Sequence, residues 1–253
     1  MKNFQVFMQP FARALSLGKM KNMKNLSIAL LALILTSCRP WNWDAGPNQT
    51  EDRSLTSYQS ISVYGDIDVV FTNDSTYDVR VVAPEKLLPY IKTTVSNGRL
   101  RIEEESNRYA SRDAKVYISQ NVFDEIYLNG SGDLSGVPLT LSHGVIRHYG
   151  SGDIQLNINA TELVYEVYGS GDAHLDGVVQ FSDLRITGSG DVDARDLNTI
   201  RSDVKITGSG DAFVNISDTL NATITGSGDI FYWGFPSILN TVTNGSGDVV
   251  QMN

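Results

Sequence analysis

The sequence predicts an all-β fold: a right-handed parallel β-helix (solenoid) of ~19-residue coils with a β-rich N-terminal cap. Three observations carry this. The tetrapeptide Gly-Ser-Gly-Asp begins seven times, at Gly130, Gly150, Gly169, Gly188, Gly208, Gly226 and Gly245, with spacings of 18 to 20 residues. Apolar and polar residues alternate on both sides of every copy, the period of two that marks a half-buried strand. No run around the motif has the spacing of an amphipathic helix. A period near 19 fits one coil of three short strands, roughly 4–5 residues each, and three corners, stacked on its neighbour at about 4.8 Å. Parallel crossovers are nearly always right-handed, which sets the expected hand.

The elements follow in chain order. Residues 1–37 carry five basic residues and no acidic one. The apolar run from Leu26 to Leu35 is too short to span a bilayer but suits the core of a secretory signal. It ends in Leu35-Thr36-Ser37-Cys38, which resembles the lipobox of a bacterial lipoprotein. That resemblance implies a signal peptide over residues 1–37 and lipid attachment at Cys38, the only cysteine of the chain. Acyl chains contribute about 0.8 kcal/mol per buried carbon, and Trp41 and Trp43 are suited to the headgroup level. Residues 38–54 lack periodicity and read as a tether. From Cys38 onward the chain has 15 basic and 29 acidic residues, a net charge of −14. An acidic body is repelled by anionic headgroups, so the lipid is the expected membrane contact. The same balance argues against nucleic acid as a partner.

Residues 55–253 read as one head domain, with 55–125 as cap and first strands and 126–253 as the repeat coils. Within the cap, Tyr64-Gly65-Asp66-Ile67-Asp68-Val69 reads as a worn copy of the repeat. Residues 84–90 suit one helical turn, and residues 93–103 a hairpin about Asn97-Gly98. In the coils, Ile126, Ile146, Tyr165, Leu184, Val204, Ala222 and Thr241 lie four residues before each motif. Leu128, His148, Val167, Ile186, Ile206, Ile224 and Thr243 lie two before. Counting by twos from Ile186 places both glycines of its motif inward and Ser189 and Asp191 outward. The corner then has no room for an inward Cβ. Thr241, Thr243 and Gln251 fall at inward positions of the last coil, as in a capping coil.

Four stretches together resemble a known family. They are Ile61-Ser62-Val63-Tyr64-Gly65-Asp66-Ile67-Asp68-Val69-Val70-Phe71, Val95-Ser96-Asn97-Gly98-Arg99-Leu100-Arg101-Ile102, Lys115-Val116-Tyr117-Ile118 and the Gly-Ser-Gly-Asp series. Over about residues 58–250 the chain is similar to the head GIN domain family of auto-transporter adhesins, common among lipoproteins of the Bacteroidetes type. The resemblance implies a β-helix-like fold, an envelope-anchored protein and adhesion, and it brings no active site.

The repeat ladder (Gly130, Ser131, Gly132 and Asp133, then Asp153, Asp172, Asp191, Asp211, Asp229 and Asp248) is weighed for chemistry. An enzyme needs one special carboxylate pair in a cleft, whereas here one residue recurs at every coil. A structural ladder accepting backbone N–H groups is therefore favoured over catalysis, and no catalytic residue is assigned. Stacked like charges repel, which invites calcium at Asp172, Asp191 and Asp211 as the speculative cofactor. His143, His148 and His174 fit no metal or triad spacing, and His148 reads as a core residue. Phe231 and Trp233 point outward by parity. They suit a glycan or protein ligand, or else a loop folded over the last coil. The expected function is a lipid-anchored envelope adhesin, on the outer membrane with its face unassigned. A polysaccharide-acting enzyme (glycoside hydrolase or polysaccharide lyase) and a purely structural envelope component stand as the alternatives.

Overall fold

The computed structural model describes residues 45–105 and 113–252, without the side chains of residues 142 and 143. The signal segment, Cys38, Trp41 and Trp43 lie outside the described residues. Among the described residues no helix is long and apolar enough to cross a membrane.

The chain is all-β and forms a parallel solenoid of about seven turns. Its upper part is built from β8 (Glu125–Gly130), β9 (Leu134–Gly136), β10 (Leu139–Gly150), β11 (Ile154–Gly169), β12 (Ala173–Gly188), β13 (Val192–Gly208) and β14 (Ala212–Gly226). It ends in β15 (Ile230–Trp233), β16 (Ile238–Thr243) and β17 (Val249–Gln251). Each of these pairs in parallel with the coil before it, and the register places every Gly-Ser-Gly-Asp over the last. The inward columns are those read from the alternation. One runs Ile61, Ile126, Ile146, Tyr165, Leu184, Val204, Ala222 and Thr241. All but the terminal Thr241 are buried. A single coil cannot hide its apolar face, so stacking supplies the core.

The strands within a coil differ from the expectation. Instead of three short strands, β11, β12, β13 and β14 each run for 15 to 17 residues from one Asp to the next Gly. Parallel pairing with the neighbouring coil continues along nearly the whole of these strands. Breaks are local, as at the register shifts between His174 and Gly177 and between Ala194 and Asn198.

The lower part departs from chain order. The first coil is β2 (Ser60–Gly65) with β3 (Asp68–Phe71), which pair in parallel with β8 and β9. Below it lie β6 (Arg99–Glu104) and β7 (Lys115–Ile118), again parallel. Two antiparallel partners close this end. β5 (Ile91–Ser96) forms a hairpin with β6, with Asn97 and Gly98 at φ +51° and +71°, as a type I′ turn requires. β4 (Val79–Pro84) pairs with β7, and a 3-10 turn follows at Leu88–Tyr90.

The tether reading of residues 38–54 is corrected at its end, because β1 (Asn48–Arg53) pairs antiparallel along the whole of β4. Its Asn-Gln-Thr-Glu-Asp-Arg has no apolar period because it buries no side-chain face. It is held by backbone pairing at the edge of β4, by Asp52 with Arg80 at 2.6 Å and by Arg53 donating to the Ile91 carbonyl at 2.8 Å. Such a polar strand covers an edge that would otherwise pair with another chain.

Candidate functional site

The corner shows first what the repeated residues do. A Cβ on either glycine of any copy would lie 1.9–2.2 Å from the carbonyl oxygen at the equivalent position one coil below. In six copies the first glycine also has φ from +131° to +157°. The obstacle to a side chain is therefore the backbone of the next coil along the stack, rather than the core. Ile67 illustrates this. It occupies the second-glycine position in the first coil, beneath Gly132, and its own side chain is fully buried.

The aspartates form one chain of hydrogen bonds. The Asp133 N–H donates to Asp68 Oδ1 (3.1 Å), Asp153 to Asp133 (2.7 Å), Asp172 to Asp153 (3.0 Å) and Asp191 to Asp172 (2.8 Å). Asp211 then donates to Asp191 (2.7 Å), Asp229 to Asp211 (2.7 Å) and Asp248 to Asp229 (2.8 Å). The worn copy thus contributes Asp68 as the foot of the ladder. Each carboxylate from Asp68 to Asp229 spends Oδ1 on the N–H above it, those of Asp172, Asp191 and Asp211 included. The backbone N–H dipole also offsets part of the repulsion between stacked charges.

His148 is a core residue. Its ring is fully buried, with Nδ1 and Tyr165 Oη sharing a hydrogen bond at 3.1 Å. The ring lies beneath Gly171, where a Cβ would come within 2.7 Å of Nε2. Burial pushes its pKa below the ordinary histidine value, against an upward pull from the Gly152 backbone and then from Asp153, Asp172 and Asp133.

Beside the ladder, the face formed by the first residues after each corner carries side chains that do not repeat. One outward column reads Gln155, His174, Asp193, Phe213 and Phe231. An open groove of about 460 Å³ is lined by the first four of these together with Asp153, Asp172 and Asp191. At its upper edge Phe213 and Phe231 stack at 5.1 Å and 13°. The Arg195 guanidinium lies 5.5 Å from the Phe213 ring and 5.7 Å from Trp233. Arg195 also hydrogen-bonds Asp193, which holds that carboxyl below its ordinary pKa.

Phe231 and Trp233 point outward, as parity requires, while Ile230 and Tyr232, which alternate with them, are buried. They belong to a regular strand on the lateral face and do not fold over the last coil. Phe213 was missed by sequence reasoning, although it stands two residues past its Asp as Phe231 does. His174 is also better placed than its spacing implied. Its Nε2 lies 3.0 Å from Asp176 Oδ1, and Asp196 joins from the coil above. The three ligand atoms lie within 4.8 Å of one another, a set suited in type to a divalent cation. Linear spacing within one strand could not reveal it, because Asp196 arrives by stacking.

The face therefore combines flat apolar rings with carboxylate acceptors and one imidazole. Rings pack on the apolar faces of sugars, and carboxylates accept hydroxyl protons. A family model described as "Putative auto-transporter adhesin, head GIN domain" matches residues 57–236. No functionally curated protein matches the chain in sequence. Among solved structures, one titled a "putative adhesin" from Bacteroides fragilis is 23% identical with a TM-score of 0.76, over 81% of this chain and 97% of that one. A "putative lipid binding protein" from Parabacteroides distasonis is 23% identical with a TM-score of 0.63, over 82% and 98%. A "putative adhesin" from Parabacteroides merdae is 21% identical with a TM-score of 0.55, over 82% and 97%. At these identities the likenesses establish the fold.

Proposed function

This chain belongs to the head GIN domain family of auto-transporter adhesins, and from that premise we propose that it is a lipid-anchored envelope adhesin. It is held to the outer membrane through Cys38 and binds a neutral glycan along the groove beside the Asp ladder. The reading has no catalytic step. The observation that carries it is the stacked Phe213–Phe231 pair, with Trp233 and Arg195, opening onto a groove of carboxylates. Extended ligands suit solenoids because the surface is long and flat. Hydroxyl groups of a neutral sugar satisfy carboxylate acceptors without adding charge to an acidic surface.

A glycan array probed with the purified protein tests this, with turnover of every bound glycan followed in parallel. Binding of neutral oligosaccharides, weakened about fivefold or more by Phe213→Ala or Trp233→Ala, is the expected result. Hydrolysis or elimination of a bound glycan would instead favour the enzyme alternative. Loss of membrane association in Cys38→Ser tests the anchor separately.

A further inference from the structure

A second outward face, on the residues that precede each corner, carries a column of tyrosines. Tyr64 and Tyr127 lie 5.5 Å apart between ring centroids, Tyr127 and Tyr149 5.4 Å, and Tyr149 and Tyr168 4.7 Å. The last pair is stacked, with 5° between planes. The column then stops. In register above Tyr168 stand Thr187 and then Thr207. The next coil thus leaves open the position where a fifth ring would lie. Tyr168, Thr187, Thr207, Arg185 and Lys205 line a groove of about 410 Å³ there.

Charge distinguishes this groove from the first. Most arginines of this face are neutralised. Arg147 lies between Glu125 and Glu166, and Arg185 is bound by Glu166 at 2.8 Å and by Asp183. Lys205 continues the same column above Arg185. It is exposed and makes no ion pair among the described residues. In a chain of net charge −14 from Cys38 onward, an unpaired ammonium beside an uncovered ring face is an unusual pairing.

We propose that this slot binds an acidic sugar, a hexuronate residue of a polysaccharide. Its ring stacks on the free face of Tyr168, its carboxylate pairs with Lys205 Nζ, and its hydroxyls meet Thr187 and Thr207. The site is independent of the neutral-glycan groove and of the residues placed there. Stacking and a single charge-assisted hydrogen bond together account for the chemistry, and no covalent step is involved.

The test is calorimetric titration of the protein with tri-galacturonate and, separately, with its fully methyl-esterified form. The acid is expected to bind and the ester to bind at least about tenfold more weakly. Lys205→Ala is expected to erase that preference, and Tyr168→Ala to weaken the acid about fivefold or more. Thr187→Phe extends the ring column into the slot, so it should abolish binding while leaving the melting temperature unchanged or raised. Phe213→Ala should have no effect on this titration. Failure of the wild type to bind the acid, equal binding of acid and ester, or full binding by Thr187→Phe would each overturn the proposal.

Discussion

The corner and the lateral faces of this solenoid are built from the same coils but obey different rules. At the corner the seven coils with Gly-Ser-Gly-Asp present the same four residues, and their contacts are made to the corner of the coil below. Glycine meets glycine carbonyl, and aspartate N–H meets aspartate carboxylate. On the faces the column two residues past each Asp also keeps its register, yet the side chains change at each step, from Gln155 to His174 to Asp193 to Phe213. The repetition is thus accounted for by backbone stacking. Departures from it are under no such constraint, and these are where the residues proposed for binding gather.

The largest difference between corner and face is expected at a mid-stack glycine. Gly190→Ala would force a Cβ to within 2.2 Å of the Gly171 carbonyl. Backbone cannot yield as a flexible side chain does, so a loss of about 3 kcal/mol or more is expected, roughly 10 °C in Tm by thermal melting. Phe213→Ala, on the lateral face, should move Tm far less.

A smaller effect is expected inside the core. Tyr165→Phe removes the hydrogen-bond partner of buried His148 and should cost about 1–3 kcal/mol, whereas the double variant His148→Leu/Tyr165→Phe should be nearly neutral. The pair also carries a pH signature. The folded pKa of His148 lies below its unfolded value of 6.5. Between the two, the unfolded chain binds more protons, so stability rises with pH. The contribution is complete above pH 6.5 and is lost as pH falls toward the folded pKa. Denaturant titrations of wild type across that window should show this acid loss, and the double variant should lack it.

The smallest effect is expected at the ladder. Asp133→Ala leaves the Asp153 N–H without its acceptor and should cost about 1 kcal/mol, read as a lower denaturant midpoint. Asp133→Asn keeps an oxygen at the same place and removes one charge from the column, so it should be close to neutral. An Asn variant as damaging as Ala would mean that charge, not hydrogen bonding, is what the ladder needs.

Much of this was legible in the sequence, for physical reasons. A period of about 19 with alternation on both sides is the linear image of stacked coils, and it located the inward columns from Ile126 to Ile224. It also identified Gly65 to Asp68 as a worn corner. β1 left no such image, because a strand held by backbone pairing and polar side-chain contacts has no apolar period. The placement of β6 and β7 beneath β2 and β3 depends on which edge each strand finds, and their local pattern is silent on that. On the faces the missing step was alignment between copies. Setting the coils in register at the motif would have placed Tyr149 over Tyr168 and Phe213 over Phe231, each at a fixed distance from its own Gly-Ser-Gly-Asp. Asp196 beside His174 would still have escaped, since a local bulge shifts the register there.

The most direct test is the binding isotherm of a neutral glycan identified on the array, measured by calorimetry for Phe213→Ala and Asp133→Ala side by side. The ladder variant is expected to bind as the wild type does, while Phe213→Ala loses about fivefold or more in affinity without losing its fold. Lost binding in the ladder variant, with Phe213→Ala unimpaired, would contradict it.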